Sequence, residues 1–207
     1  MKIVCVGLNY QNHVKEFDRG QLENAEPCIF MKPDTALLRN NEAFYIPSFS
    51  SEIHHEVELV VKINRVVKAI DENFASRCYD EVGLAIDFTA RDLQMKLKQQ
   101  GKPWELSKAF DKSTPMSSEF IKLSELGKDV QDLEFSLDIN SQKVQLGHTK
   151  DMLFSVNKII SYVSHFCTLK IGDLILTGTP EGVGKVNIGD NLQGYLEGRK
   201  MFDFFVK

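Results

Sequence analysis

The stretch His54-His55-Glu56-Val57-Glu58-Leu59-Val60-Val61 decides how the chain is arranged. Side chains alternate between the two faces of an extended strand. Glu56 and Glu58 are therefore predicted to share one face, whereas the alternate apolar residues from Val57 onward enter a core. Two carboxylates are thus expected side by side next to a hydrophobic interior.

A third acid, Asp87, lies in a second short apolar run, residues 84–88, which predicts a buried strand. Three carboxylates brought within about 4 Å of one another repel by about 4 kcal/mol per pair at an effective dielectric constant of about 20. Neither run contains a lysine or arginine that would offset this repulsion. A bound cation would offset it, and carboxylate oxygens suit Mg²⁺, Mn²⁺ or Ca²⁺ better than zinc.

Two other interpretations of the glutamates stay open. The pair could be the solvated face of an edge strand. His54 alternates onto the face of Glu56 and Glu58, so zinc bound through that histidine is a rival, although no His-Glu-x-x-His or Cys/His cluster accompanies it. His55 is predicted to point to the opposite face.

Composition limits the classes of protein that fit this chain. Its 207 residues, 43% of them apolar, can bury one sizeable core, so residues 1–207 are predicted to form a single domain. The 25 basic and 29 acidic residues give a net charge of -4 and no basic field for nucleic acid. The four cysteines are scattered, and no apolar run approaches the roughly 18 residues of a membrane span. We therefore expect a cytoplasmic protein with reduced thiols that binds neither nucleic acid nor membranes.

Apolar periodicity predicts more strands than helices, and hence an α+β fold that is predominantly β. The predicted strands cover residues 3–6, 27–33 with Pro33 closing the strand, 133–139 with a return strand from 143, 171–177, and the hairpin 191–196 with 201–206. Helices are predicted over 71–79, 91–100 and 152–165, the second opening with a capping box at Thr89. The Gly-rich turn at 178–184 lacks the Gly-Lys-Ser/Thr ending of a P-loop, which argues against ATP binding.

Three further groups of side chains are candidates for chemistry. His13 and Glu16 are three residues apart, so the carboxylate could orient the imidazole as a general base, and a solvated surface pair is the alternative. Arg91 and Gln94 share a face of the helix that begins beyond the third acid, where they could meet a substrate anion. Lys108, flanked by apolar residues, is either a snorkelling lysine or a fixed positive charge beside a developing anion.

Longer motifs make the sequence similar to a known family. They span nearly the whole chain: Gly7-Leu8-Asn9-Tyr10 with His13 and Glu16, Met31-Lys32-Pro33, His54-His55-Glu56-Val57-Glu58-Leu59, Asp87-Phe88-Thr89-Ala90-Arg91-Asp92-Leu93-Gln94, Gly101-Lys102-Pro103-Trp104, Lys108, and Thr177-Gly178-Thr179-Pro180-Glu181-Gly182-Val183-Gly184. With them the chain resembles the fumarylacetoacetate hydrolase superfamily, close to its single-domain acylpyruvate hydrolase branch. The resemblance implies a mixed β-roll or sandwich with a few short helices, assembled as a homodimer.

The resemblance also implies a set of site residues. It assigns Mg²⁺ or Mn²⁺, with Ca²⁺ as a possible substitute, to Glu56, Glu58 and Asp87. It assigns activation of water to His13 and Glu16, and stabilisation of an enolate to Lys108. The residues that it places around the substrate are Arg91, Gln94 and Thr179.

A site of this kind implies chemistry on small 2-oxo acids. The expected reaction is cleavage of the C–C bond of a 1,3-dicarbonyl acid, an acylpyruvate such as acetylpyruvate or fumarylpyruvate, through an enolate held at the metal. The same enolate chemistry leaves two alternatives, decarboxylation of oxaloacetate and isomerisation of the 2-hydroxyhepta-2,4-diene-1,7-dioate type. A non-catalytic protein with a structural divalent cation is the second class of alternative.

Leu8 departs from the pattern, because relatives close to this branch often carry Arg or Lys after the first glycine. The missing cation forfeits a charge-assisted hydrogen bond to a distal carboxylate, so we predict that the cleft prefers small or uncharged acyl tails. The comparison of Leu8→Arg with wild type on acetylpyruvate and fumarylpyruvate measures this preference. A fumarylpyruvate rate that gains nothing from the arginine would contradict the prediction.

Overall fold

The run after Glu56 forms a strand, Val57–Ile63, in which six of the seven residues are buried. Val57, Leu59 and Val61 belong to the larger hydrophobic core. Val60, on the other face, belongs to a second, smaller core. The predicted alternation is therefore confirmed, and both faces of this strand are covered.

The computed structural model describes residues 1–12 and 26–207. Within them the strands are β1 Ile3–Gly7, β2 Cys28–Lys32, β3 Leu37–Leu38, β4 Ile53–His55, β5 Val57–Ile63, β6 Tyr79–Ile86, β7 Thr89–Ala90, β8 Thr114–Pro115, β9 Ile121–Lys122, β10 Glu134–Ile139, β11 Gln142–His148, β12 Leu174–Leu176, β13 Gly184–Lys185, β14 Asn191–Leu196 and β15 Arg199–Phe205. The α-helices are α1 Arg91–Gln99, α2 Leu123–Leu126 and α3 Val156–Phe166. Single 3₁₀ turns cover Asp34–Ala36, Glu105–Ser107 and Thr149–Asp151, and a longer 3₁₀ helix covers Glu72–Cys78.

Two larger sheets enclose the main core. The six-stranded sheet has the order β2-β1-β12-β5-β6-β9, and the four-stranded sheet has the order β11-β10-β14-β15. Strands β1 and β12 run parallel, whereas β5 pairs antiparallel with both β12 and β6. Leu59 of β5 and Phe135 of β10 meet in one cluster of fully or almost fully buried side chains. The predicted fold class, α+β and predominantly β, is confirmed.

Helix α1 begins differently from the prediction. Its N-cap is Ala90, which makes no side-chain capping bond, so the predicted capping box at Thr89 is wrong. The carboxylate of Asp92 instead accepts hydrogen bonds from Ser50 Oγ at 2.6 Å and from Ser51 N at 3.0 Å. Asp92 therefore ties the helix to the chain before β4. The predicted end is confirmed, since Gly101 follows the helix with φ +62°.

The other two predicted helices are shorter than expected. The segment predicted at 71–79 is a 3₁₀ helix whose N-cap, Asp71, accepts a hydrogen bond from Asn73 N at 2.9 Å. Helix α3 begins after Ser155, whose side chain accepts from Lys158 N at 3.0 Å, and not at residue 152. Within the described residues no helix is long and apolar enough to cross a membrane.

Candidate functional site

The three predicted acids meet at the end of the β5–β6 pair. Val57 lies opposite Ile86 in the antiparallel register, and Asp87 N donates to Glu56 O at 2.8 Å. One carboxylate oxygen each from Glu56, Glu58 and Asp87 lies within 4.8 Å of the others. The three side chains are buried. The sequence prediction of a buried carboxylate trio is thus matched by the geometry, and the solvated-edge interpretation is not.

Three cations from other parts of the chain surround the trio. Lys108 Nζ donates to Glu56 Oε2 and to Asp87 Oδ2, each at 2.6 Å. Lys32 Nζ lies 2.5 Å from Asp87 Oδ1, and Arg91 Nη2 lies 2.5 Å from Glu56 Oε1. Neither run contains these cations, as the sequence shows, but other segments of the chain bring them to the trio, so part of the repulsion is offset by the protein itself.

Burial and charge act in opposite directions on Lys108. Burial by itself would lower the pKa of Lys108, but the carboxylates of Asp87 and Glu56 outweigh it and raise that pKa. The group therefore stays an ammonium at neutral pH. The interpretation of Lys108 as a fixed positive charge, and not as a snorkelling lysine, is the one that the geometry supports.

Glu58 differs from the other two acids. Burial raises the pKa of Glu58 well above its usual range, and the charge of Asp87 raises it further. Gly178 N donates to Glu58 Oε2 at 2.7 Å, and no ion pair to Glu58 occurs in residues 1–12 and 26–207. Of the three carboxylates, Glu58 is the one that has no directly paired cation among the described residues.

The residues predicted to surround a substrate lie beside the trio. Arg91 Nη1 donates to Gln94 Oε1 at 2.8 Å, so the predicted pair on α1 is formed. Both residues, together with Lys108 and Thr179, line a cavity of about 60 Å³ that the trio also lines. The cavity's other lining residues are Val6, Gly7, Leu8, Cys28, Phe30, Lys98 and Trp104.

Two chain segments close one side of this cavity because they pack directly on each other. Asn9 Nδ2 donates to Thr177 O at 2.7 Å, and Asn9 Oδ1 accepts from Phe154 N at 2.7 Å. Gly178 has φ +97°, and a Cβ there would lie 2.7 Å from the Cβ of Asn9. The Gly-rich turn thus packs against the segment after β1 and presents its N–H to Glu58.

The histidines at the start of the site do not join the acids. His54 Nε2 lies 3.4 Å from Glu52 Oε2. Among the described residues, the trio is the one group of three or more His, Cys, Asp or Glu side chains placed to hold a metal, and it excludes His54. The zinc rival therefore has no support here. His55 points to the opposite face as predicted, where its Nδ1 lies 2.9 Å from Gln145 Oε1.

Some parts of the site lie beyond what the sequence predicted. The sequence predicted no role for Lys32, Lys98 or Gln145. Lys32 ends an apolar strand, and that position could have indicated a buried charge. His13 and Glu16, the predicted base and its partner, lie outside the described residues. Their roles remain predictions.

Comparisons with known proteins show that a chain with this fold and pocket is an enzyme. Residues 2–202 match the family model described as fumarylacetoacetate (FAA) hydrolase C-terminal, and the chain belongs to this family.

Relatives with a stated activity cover almost the whole chain. Oxaloacetate tautomerase YcgM of Escherichia coli (strain K12) is 42% identical over 97% of this chain and 90% of its own length. The mitochondrial oxaloacetate tautomerase FAHD1 of Arabidopsis thaliana is 41% identical over 100% of this chain and 91% of its own. The crystal structure of fumarylpyruvate hydrolase from Pseudomonas aeruginosa in complex with Mn²⁺ and pyruvate has a TM-score of 0.92 and 32% identity, covering 100% of this chain and 89% of that one.

The carboxylate trio could hold a divalent metal ion. All three donors are carboxylate oxygens within 4.8 Å of one another, which is the donor chemistry that hard cations such as Mg²⁺, Mn²⁺ and Ca²⁺ prefer. The raised pKa of Glu58 fits the same role, because burial and the charge of Asp87 raise it. The residues present therefore suit a divalent cation, and their chemistry does not distinguish between these ions.

We predict that Lys108→Met makes the stability of the protein depend on metal. The change leaves Glu56 and Asp87 buried with one cation fewer, and breaking a buried ion pair costs about 3 kcal/mol. The free energy of unfolding in EDTA should fall by about that amount, and saturating Mn²⁺ should restore most of it. Urea denaturation with EDTA or Mn²⁺ measures both values.

A matched control for this change is Lys185→Met. Lys185 also pairs with a glutamate, Glu52, but both side chains are exposed to solvent. This variant should show no measurable loss and no added metal dependence. Equal behaviour of the two variants would mean that Lys108 does not balance the trio.

Proposed function

We propose that this chain is a divalent-metal-dependent enzyme that interconverts the enol and keto forms of oxaloacetate. The observation that carries the proposal is the small cavity in which the carboxylate trio faces Arg91, Lys98 and Lys108. The two tautomerase relatives support the same substrate.

The cations of the cavity match the charges of a dicarboxylic acid. Arg91 is held in place by Glu56 and Gln94, so its guanidinium is presented in a fixed orientation. Lys98 Nζ lies 5.4 Å from the ring centroid of Trp104, at the same cavity. A second carboxylate on a short substrate would therefore meet positive charge from Arg91 and Lys98, whereas Leu8 supplies no cation for a charged acyl tail.

The reaction moves protons and breaks no C–C bond. In going from enol to keto form, the enol oxygen loses its proton and C3 gains one, so no water is consumed. A divalent cation held by Glu56, Glu58 and Asp87 would supply Lewis-acid polarisation of the 2-oxo group. Lys108, kept as an ammonium by its carboxylate partners, would donate a hydrogen bond to the oxygen on which negative charge develops.

C3 gains its proton from a protein group in the enol-to-keto direction and loses it to the same group, acting as a base, in the reverse direction. We assign this role to His13, oriented by Glu16, on the strength of their spacing in the sequence and of the family motif. In a hydrolase the same imidazole would take its proton from water instead. The two reactions thus share the residues of the site and differ in what the base deprotonates.

Cleavage of an acylpyruvate is the second candidate function. It is favoured by the Pseudomonas aeruginosa fumarylpyruvate hydrolase, whose structure was solved with Mn²⁺ and pyruvate and shares this fold. Decarboxylation of oxaloacetate and isomerisation of an unsaturated 2-oxo diacid use the same polarised 2-oxo group. These reactions are distinguished by their products.

We expect the protein with Mn²⁺ to accelerate the loss of enol absorbance from freshly dissolved enol-oxaloacetate, because the cavity polarises the 2-oxo group and stabilises the enolate. The rate should return to the buffer rate in EDTA. Pyruvate, measured in the same samples with lactate dehydrogenase, should not accumulate at the rate at which enol disappears.

Parallel assays separate the rival functions. Pyruvate formed as fast as enol is lost would identify a decarboxylase. Cleavage of acetylpyruvate or fumarylpyruvate without any effect on enol-oxaloacetate would identify a hydrolase. Inactivity on every substrate, with Mn²⁺ bound, would favour a structural cation in a non-catalytic protein.

A further inference from the structure

We propose that Gln145 is a positioning residue that fixes the Thr179 hydroxyl as a hydrogen-bond donor to a carboxylate oxygen of the substrate. The proposal rests on the function proposed above, in which the cavity binds a 2-oxo dicarboxylic acid. Gln145 lies in β11, the return strand of the β10–β11 hairpin.

The side-chain amide of Gln145 is buried and makes four hydrogen bonds. Its Oε1 lies 2.9 Å from His55 Nδ1 and accepts from Val57 N at 3.0 Å. Its Nε2 donates to Thr179 Oγ1 at 2.9 Å and to Pro180 O at 3.1 Å. Oε1 therefore has two hydrogen-bond partners and Nε2 has two, which is the full number that a glutamine amide can make.

The orientation of this amide is fixed because two of its partners can act only as a donor or only as an acceptor. A backbone N–H such as that of Val57 can only donate, and a backbone carbonyl such as that of Pro180 can only accept. A flipped amide would lose both bonds. The oxygen must therefore face β5 and the nitrogen must face the Gly-rich turn, and His55 must carry a proton on Nδ1.

This orientation decides what the Thr179 hydroxyl can do. Because Thr179 Oγ1 accepts a hydrogen bond from Gln145 Nε2, its own proton is left to donate elsewhere. Thr179 is 3% exposed and lines the cavity next to the trio. A hydroxyl that donates into a cavity of cations and metal-ligating acids matches an anionic oxygen of the substrate.

The segment that carries Thr179 packs closely against β11. Gly182 has φ +91°, and a Cβ at this position would lie 2.4 Å from Val144 O and 3.5 Å from Gln145 Cγ. The turn thus rests on the backbone of β11 at the point where the Gln145 amide reaches it. Thr179 is presented to the cavity at a set distance and with a set hydrogen-bond direction.

The test reverses the direction of the hydrogen bond. Gln145→Glu keeps an acceptor for His55 and Val57 but replaces the donor, so the Thr179 hydroxyl would turn to donate to the new carboxylate. With Mn²⁺ present, Gln145→Glu and Thr179→Val should each weaken oxalate binding at least tenfold and raise the KM for oxaloacetate by a similar factor. The kcat should change less than threefold, and the double variant should be no weaker than either single one.

Three comparisons decide whether the role is one of positioning. Gln142→Glu makes the same charge change on an exposed site of the same strand and should leave oxalate affinity unchanged. The affinity for Mn²⁺, measured by calorimetry, should stay within threefold of wild type in every variant. A parallel loss of Mn²⁺ affinity, additive effects of Gln145→Glu and Thr179→Val, or wild-type oxalate binding in Gln145→Glu would overturn the proposal.

Oxalate separates this proposal from the proposed function, because its binding needs no turnover. If wild type binds oxalate but does not act on oxaloacetate, the function fails and the role of Gln145 is still decided. If Gln145→Glu does not fold, Thr179→Ser and Thr179→Val carry the test. Serine keeps the donor and should keep the affinity, whereas equal affinity of the two would contradict the inferred direction.

Discussion

Three buried carboxylates and three cations meet where the β5–β6 pair ends. The rest of the structure depends on this contact, because it joins segments that are far apart in the chain. Unpaired charges in a protein interior cost several kcal/mol each, so the fold can bury Glu56 and Asp87 only if their partners arrive. Lys32 comes from β2, Arg91 from α1 and Lys108 from the segment after it. The sheet order and the position of α1 therefore serve one electrostatic arrangement.

The alternation of apolar and polar residues predicted the strands, because the geometry of a single strand produces that alternation. The alternation around Glu58 gave the strand, its two faces and the shared side of the glutamates, because strand geometry alone sets these. The β10–β11 hairpin followed from the same alternation. The N-cap of α1 was predicted wrongly because Asp92 has closer partners in Ser50 and Ser51, which no pattern near residue 92 reveals.

The charge balance of the site could not be predicted in the same way. Lys32 Nζ lies 2.5 Å from Asp87 Oδ1, although the two residues are far apart in the chain. The spacing of charges along one strand cannot predict such a contact. The same holds for Gln145, whose partners come from β5 and from the turn after β12. The trio itself was predictable because two of its members share a strand and the third ends the neighbouring one.

The ion pairs explain how three carboxylates can stay buried together before any ligand binds. Lys108 pairs with Glu56 and Asp87, whereas Glu58 accepts a hydrogen bond from a backbone N–H and has no directly paired cation in residues 1–12 and 26–207. The cavity walls combine apolar side chains with cations, which matches the small anionic substrate that we propose.

The central claim is that the trio is a divalent-metal site, and calorimetric titration of Mn²⁺ into metal-free wild type and Glu58→Gln tests it most directly. Glu58 is the informative position because its substitution leaves the ion pairs of Lys32, Arg91 and Lys108 intact. We predict one Mn²⁺ per chain in wild type and at least about tenfold weaker binding in Glu58→Gln. Equal affinity in the two proteins, or no binding to wild type, would contradict the claim.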